Sequence, residues 1–168
     1  MGDTLWGSIF KKLGKNEIEK FLSENPLFEG LNSKEIKSLS NLIHLRKYKD
    51  GEIIFREGEP GVGLYIVMRG RVRIFKSVKE CNEITLAEFV PPQFFGEIAV
   101  IEGGPRTASA VAVGDTELLG FFKADLMELI ETNPRAGAKI LLRISEILCK
   151  RLRNADREIA RLSSGESK

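Results

Sequence analysis

Residues 51–75, "GEIIFREGEPGVGLYIVMRGRVRIF", decide the fold. Apolar and polar residues alternate in short runs, and glycines at 51, 58, 61, 63 and 70 punctuate them. A period of two with recurrent turn residues marks short β-strands. The runs predict strands at Glu52–Phe55, Gly63–Arg69 and Arg71–Phe75, with Gly70 as the tight turn of a hairpin between the last two. The rhythm continues through "EITLAEFV", stops at Pro91-Pro92, and resumes in "TASAVAVG" and "TELLGFF". Many short strands with regular turns predict a closed antiparallel β-barrel or jelly roll, a double-stranded β-helix.

Helical patterns flank this region, so the fold class is α+β, mainly β, with N-terminal helices and a long C-terminal helix. Upstream, Leu5, Trp6, Ile9, Phe10 and Leu13 share one helical face, and Gly14 separates them from a second piece carrying Ile18, Phe21 and Leu22. That stripe suits a helix packed on the main domain, or one that docks on a partner or a membrane surface. In "LFEGLNSKEIKSLSNLIHLRKY", Asn32 and Glu35 form a capping box ahead of a helix burying Ile36, Leu39, Leu42 and Ile43, with His44 near its end as a packing or exposed residue. Downstream, "KADLMELIETNP" predicts a short helix that Asn133-Pro134 ends and restarts. The long helix that follows carries two seams. Ile140, Ile144 and Ile147 face the barrel. Leu141, Leu148, Leu152, Ala155, Ile159 and Leu162 keep a seven-residue rhythm interrupted by Ser145, which asks for a partner helix in a parallel homodimer. The chain divides into an N-terminal helical segment, 1–25, a barrel with its first helix, 26–134, and a C-terminal helix, 135–168.

Composition narrows the function classes. With 168 residues, 42% hydrophobic and 30% charged, the chain suits one globular domain with a real core. Lys+Arg 26 against Asp+Glu 24 is too balanced for a whole-surface nucleic-acid binder. Between Lys139 and Arg161 the helix has basic residues at 139, 143, 150, 151, 153, 157 and 161 against acidic ones at 146, 156 and 158, a solvated face rather than a DNA-reading one. Apolar runs are too short for a membrane span, and no signal peptide is visible. Gly2 is present, but Trp6 stands where a myristoylation signal wants Ser or Thr. Two isolated thiols, Cys81 and Cys149, fit a reducing compartment, and a cytoplasmic location is expected. His44 is the one histidine, so a cupin-type metal enzyme lacks its ligands; neither metal, cofactor nor catalysis is expected.

The chemistry concentrates in "FFGEIAVIEGGPRTASA", residues 94–110. Gly96 lets backbone approach a ligand closely. A helical turn after it would aim the amides of Ile98 and Ala99 at an anion. Glu97, an acceptor, suits hydroxyl donors such as a ribose 2′-OH. Arg106 follows Gly103-Gly104-Pro105 and suits a phosphate through two parallel hydrogen bonds. Thr107 adds a hydroxyl, and Ala108 and Ala110 leave room for a ligand. On pattern alone, a buried Glu97–Arg106 salt bridge joining two strands is the competing reading.

The stretch "FGEIAVIEGGPRTASAVA" resembles the phosphate-binding cassette of the cyclic nucleotide-binding domain family, which includes the catabolite activator protein, kinase regulatory subunits and channel gating domains. "PLFEGL" and residues 51–75 resemble that family's first helix and strands, and the similarity runs from Pro26 to about Pro134. The resemblance implies a receptor for cAMP or cGMP. It implies that Gly96 and Glu97 hold the ribose 2′-OH, that Arg106 clasps the phosphate with the Ala99 amide, and that Thr107 touches phosphate or a guanine amino group. It further implies that the C-terminal helix lids the base through Arg151, Asn154 or Asp156. No recognition helix fits after Arg151, so a stand-alone receptor without a DNA-binding domain is expected, acting through a dimer or an unknown effector protein. A barrel of this family that has lost its ligand, a purely structural module, is the alternative.

Overall fold

The computed structural model describes residues 14–78 and 82–164. The predicted stripe Leu5–Leu13, Gly2 and Cys81 lie outside them. Helix α1, Lys15–Glu24, begins after Gly14 and buries Leu22. A 3₁₀ turn, Pro26–Phe28, follows, its first amide bonds accepted by the Asn25 side chain at 2.9 Å from Leu27 N. Helix α2, Ser33–Leu42, starts at the expected capping box: Asn32 Oδ1 accepts from Glu35 N at 3.0 Å, and Asn32 N donates to Glu35 Oε2 at 2.7 Å. Six strands then alternate with short connections: β1, His44–Tyr48; β2, Ile53–Phe55; β3, Gly63–Val78; β4, Asn82–Phe89; β5, Phe94–Phe95; and β6, Ser109–Phe122. Helix α3, Glu97–Glu102, lies between β5 and β6; α4, Lys123–Thr132, and α5, Pro134–Ser163, close the chain. Asn133 accepts from Ala136 N at 3.2 Å, the stop and restart expected of Asn133-Pro134.

Every pairing is antiparallel, in the order β1-β6-β3-β4, with β2 also on β6 and β5 on β3. Three expectations change. His44 does not end a helix. α2 stops at Leu42, and residues 44–48 pair with 116–120 as β1. There the His44 ring lies 5.2 Å from Phe122 and its Nε2 3.5 Å from Asp125. The second correction concerns Gly70. It joins no hairpin, because both predicted strands belong to the one strand β3, which pairs along its length with β6. Arg69 faces Glu117 and Arg71 faces Val113, so β6 carries extra residues opposite Gly70. Gly70 has φ 81°, and a Cβ there would sit 2.6 Å from Asp115 O, so the site needs glycine to let the bent strands touch. Likewise "TASAVAVG" and "TELLGFF" are two ends of β6, bent near Gly114.

The bent strands are buried on both faces at one end. Leu64 and Ile66 of β3 point into a cluster with Phe28, Leu39, Leu129, Ile140 and Ile144, where the helices pack. Tyr65 and Val67 point the other way, with Phe55, Val72, Phe95, Ala110 and Leu118. That second cluster draws on four strands, and the sheet folds over it as a jelly-roll-like barrel. Each such side chain contributes about 1.5–3 kcal/mol of apolar burial. Ile140 and Ile144 of α5 are buried and Ile147 is half-buried, as the first seam requires, while Leu152, Ile159 and Leu162 are more than 60% exposed. Lys139 Nζ of α5 meets the buried Glu35 at 3.0 Å and so pins this helix to α2.

Candidate ligand-binding site

The site starts where β5 ends. Gly96 takes the left-handed conformation, φ 80°, and turns the chain into α3. A Cβ on Gly96 would come within 2.6 Å of Arg106 Nη1, so only glycine lets the guanidinium close on the turn. Helix α3 has no side-chain cap, and the amides of its first turn have no acceptor within the helix. Gly103, φ 83°, ends it, and the chain returns through Pro105 to Arg106. Pro60 pairs with Pro105, Arg106 N donates to Glu59 O at 2.8 Å, and Arg106 O accepts from Gly58 N at 2.9 Å. The backbone under Arg106 is therefore held from both sides.

The Arg106 side chain is 4% exposed. It donates from Nη1 to Gly96 O at 2.9 Å and from Nη2 to Gly63 O at 2.7 Å, and its guanidinium lies 4.0 Å from the Phe55 ring centroid. Its Nε is buried without a partner. Burial lowers its pKa below the usual arginine value; Tyr65, Glu59 and Glu97 oppose that shift. The group still stays cationic, since arginine titrates far above neutrality. A buried cation held by two carbonyls and a ring, with its Nε–H and the second hydrogen of each Nη left over, is strongly disposed toward an anion.

Glu97, 4% exposed, makes no ion pair with Arg106 among the described residues. Its Oε1 accepts instead from Arg151 Nη1 at 2.5 Å, while Arg151 Nη2 donates to Phe94 O at 2.6 Å. The Arg151 guanidinium also covers the rings of Phe94 and Phe89, at 4.7 and 5.1 Å. The salt bridge suggested by pattern alone is thus replaced by two separate arrangements, one for each charge.

One cavity of about 260 Å³ gathers Gly96, Glu97, Ile98, Ala99, Arg106, Thr107, Ala108 and Arg151. Of the three lid candidates, Arg151 alone enters it. Asn154 lines a neighbouring cavity with Asn25 and Gln93, and Asp156 is exposed and lines neither. An apolar shelf completes the cavity: Phe55, Ile74, Leu86, Ala87, Phe89 and Phe95, from β2, β3, β4 and β5. The sequence reading missed it; in the structure Leu86, 53% exposed, and Ala87 and Phe89 of the same strand β4 lie on it. Cation, carboxylate and shelf together suit a ligand with an anion at one end, hydroxyls in the middle and a flat apolar ring. Thr107 is the one hydroxyl among the lining residues described, so the lining holds no nucleophile with an adjacent imidazole base.

Comparison with known proteins agrees with this chemistry. A family model described as cyclic nucleotide-binding domain matches residues 45–133. The cyclic AMP receptor protein of Thermus thermophilus is 39% identical over 144 residues, covering 86% of this chain and 65% of the relative. The chain thus spans a little under two thirds of that relative's length. Among solved structures, the catabolite activator protein of Thermus thermophilus superposes with a TM-score of 0.72 at 40% identity, over 82% of this chain and 63% of that one. A cyclic nucleotide-binding domain from Methylobacillus flagellatus gives 0.76 at 25% identity, over 92% and 85%. No helix among the described residues is long and apolar enough to cross a membrane.

Proposed function

This chain belongs to the cyclic nucleotide-binding domain family, and we propose that it is a non-catalytic receptor module for a 3′,5′-cyclic nucleotide, cAMP or cGMP. The observation that carries the reading is Arg106, a buried cation with a spare Nε, in one cavity with a buried carboxylate. In this reading Arg106 and the Ala99 amide hold the cyclic phosphate. Glu97 and the Gly96 backbone take the ribose 2′-OH. The base rests on the Leu86–Phe89 shelf beneath Arg151, which acts as the lid. Thr107 hydrogen-bonds phosphate or base. Segment 135–168 transmits occupancy: α5 shifts between two positions, and the shift alters a homodimer seam or the surface seen by an effector protein in the cytoplasm.

Titration calorimetry with cAMP and cGMP tests the site. Wild type binds at least one, and Arg106→Ala loses roughly hundredfold or more, since each charge-assisted bond contributes about 1.5–3 kcal/mol. Undiminished binding in that variant overturns the phosphate role. The Glu97–Arg151 contact favours a second reading, in which α5 is the barrel's own permanent occupant and the module is structural. Absence of binding heat with either nucleotide at high concentration selects that reading.

A further inference from the structure

The barrel-facing stripe of α5 changes character where it leaves the core. Ile140 and Ile144 are buried and Ile147 is half-buried. Three, four and seven residues beyond Ile147, the same face presents Lys150, Arg151 and Asn154. Glu97 accounts for Arg151. Lys150 makes no ion pair among the described residues, and neither it nor Asn154 enters the first cavity. Both line a second cavity of about 340 Å³, and Arg151 lines the two cavities together.

The apolar lining of this second cavity comes from Pro26 and Leu27 of the 3₁₀ turn, Pro92 of the β4–β5 connection, Phe94 of β5 and Ile147. Asn25, 2% exposed, joins two of these pieces: its Nδ2 donates to Pro92 O at 3.0 Å and its Oδ1 accepts from Leu27 N at 2.9 Å. The polar lining is one-sided. No carboxylate contributes to it. Each side-chain amide oxygen already has a donor: Asn25 Oδ1 takes Leu27 N, Gln93 Oε1 takes Val90 N at 2.9 Å, and Asn154 Oδ1 takes Arg157 Nη1 at 3.4 Å. The groups left over all donate: the Lys150 ammonium, the Gln93 and Asn154 amide nitrogens, and the Arg151 Nε–H. Spare donors, two cations and an apolar wall fit an anion with an apolar body. They do not fit a second ribonucleotide, whose hydroxyls would find no spare side-chain acceptor of the kind Glu97 supplies in the first cavity.

We propose that this cavity is a second ligand site, for a small organic anion that carries one carboxylate on an apolar body. Lys150 and Asn154 hold the carboxylate, and Pro26, Leu27 and Pro92 hold the body. Such a ligand touches α5, the 3₁₀ turn and the β4–β5 connection at once, so it binds α5 in the position that sets Arg151 over the shelf. A ligand that prefers one of two helix positions raises the population of that position. Resting on the reading of α5 as a lid, occupancy of the second site then tightens nucleotide binding at the first, and the coupling is reciprocal.

The probe is 2-naphthoate, titrated into the full chain without nucleotide and followed by amide NMR, so that the site is tested whether or not the first cavity binds anything. Saturable shifts are expected at the amides of Leu27, Gln93 and Asn154, larger than those at Gly96 and Thr107. The neutral 2-naphthamide binds about tenfold weaker or worse, since it forgoes the charged hydrogen bonds. Lys150→Glu weakens naphthoate about tenfold or more, and Asn154→Asp, which sets a carboxylate in the lining, does the same. With saturating naphthoate, affinity for cAMP or cGMP, whichever calorimetry shows to bind, rises about fivefold or more in wild type and stays unmoved in Lys150→Glu. Absence of saturable shifts at millimolar probe overturns the site, as do shifts centred on Gly96 and Thr107. Equal binding of naphthoate and naphthamide, or undiminished naphthoate binding in both variants, overturns the anion role. Nucleotide affinity unchanged by bound naphthoate overturns the coupling.

Discussion

Two buried carboxylates each take a cation from α5, and they behave differently. Glu35, 7% exposed, is saturated: the Asn32 amide donates to it, and Lys139 reaches both its oxygens, at 3.2 and 3.0 Å. Glu97, 4% exposed, has Arg151 on one oxygen and faces a cavity. Both sit in the first turn of a helix, where negative charge is favoured. The lesson is that burial alone does not mark a binding carboxylate; unfilled acceptor capacity beside open volume does. Along α5, Lys139 therefore reaches both oxygens of its carboxylate, and Arg151 reaches one oxygen of its own.

The comparison breaks most visibly at Glu97. Glu97→Ala lowers affinity for the ribonucleotide about tenfold to a hundredfold, in line with losing one charged hydrogen bond, while thermal stability changes little. A sharper version compares 2′-deoxy-cAMP in calorimetry. Wild type rejects it by a similar factor, and the variant treats deoxy and ribo forms alike. Equal rejection by both proteins would falsify the hydroxyl role.

Glu35→Ala does the reverse. It removes half of the capping box and leaves Lys139 without its buried acceptor, so urea unfolding reports a loss of about 2 kcal/mol. Nucleotide affinity, measured where the variant is fully folded, stays close to wild type. A stability change too small to resolve would mean that the clamp fixes nothing.

The smallest effect is a pH dependence. The Asn32 amide, with Lys139 behind it, lowers the Glu35 pKa below 4.5 against the opposing effect of burial. A depressed folded pKa means stability that is fully present above 4.5 and lost as pH falls through the lower folded value. The stability gap between wild type and Glu35→Gln therefore narrows through that window in acid denaturation scans. A gap constant from pH 6 to about pH 3 contradicts the assignment.

These contrasts also show what was legible in the sequence. The cassette was readable because its turn, short helix and second turn are contiguous from Gly96 to Ala108, and each residue type has a local reason. The capping box and the Asn133-Pro134 restart were local for the same reason. Gly70 was misread because a positive-φ glycine serves a hairpin and a strand bend equally; the partner that decides between them, β6, lies far along the chain. His44 was placed near the end of the preceding helix and residues 45–48 were given no strand, because a short, charged edge strand carries no apolar alternation. The shelf could not be assembled, since its residues arrive from four strands. Arg151 was one candidate of three, although the seam of Ile140, Ile144 and Ile147, assigned to the barrel, already leads to it: Arg151 follows Ile147 by four residues on the same face.

The long pairing of β3 with β6 has a kinetic consequence. Its register runs from Phe75 opposite Ser109 to Gly63 opposite Phe122, so nearly all of its contacts join residues distant in sequence. Such topologies fold slowly, because large loops must close before the contacts reward them. The carbonyl of Gly63 that holds the Arg106 guanidinium belongs to that pairing. A newly made chain therefore fixes the Arg106 guanidinium on the Gly63 carbonyl only once this long-range pairing has closed.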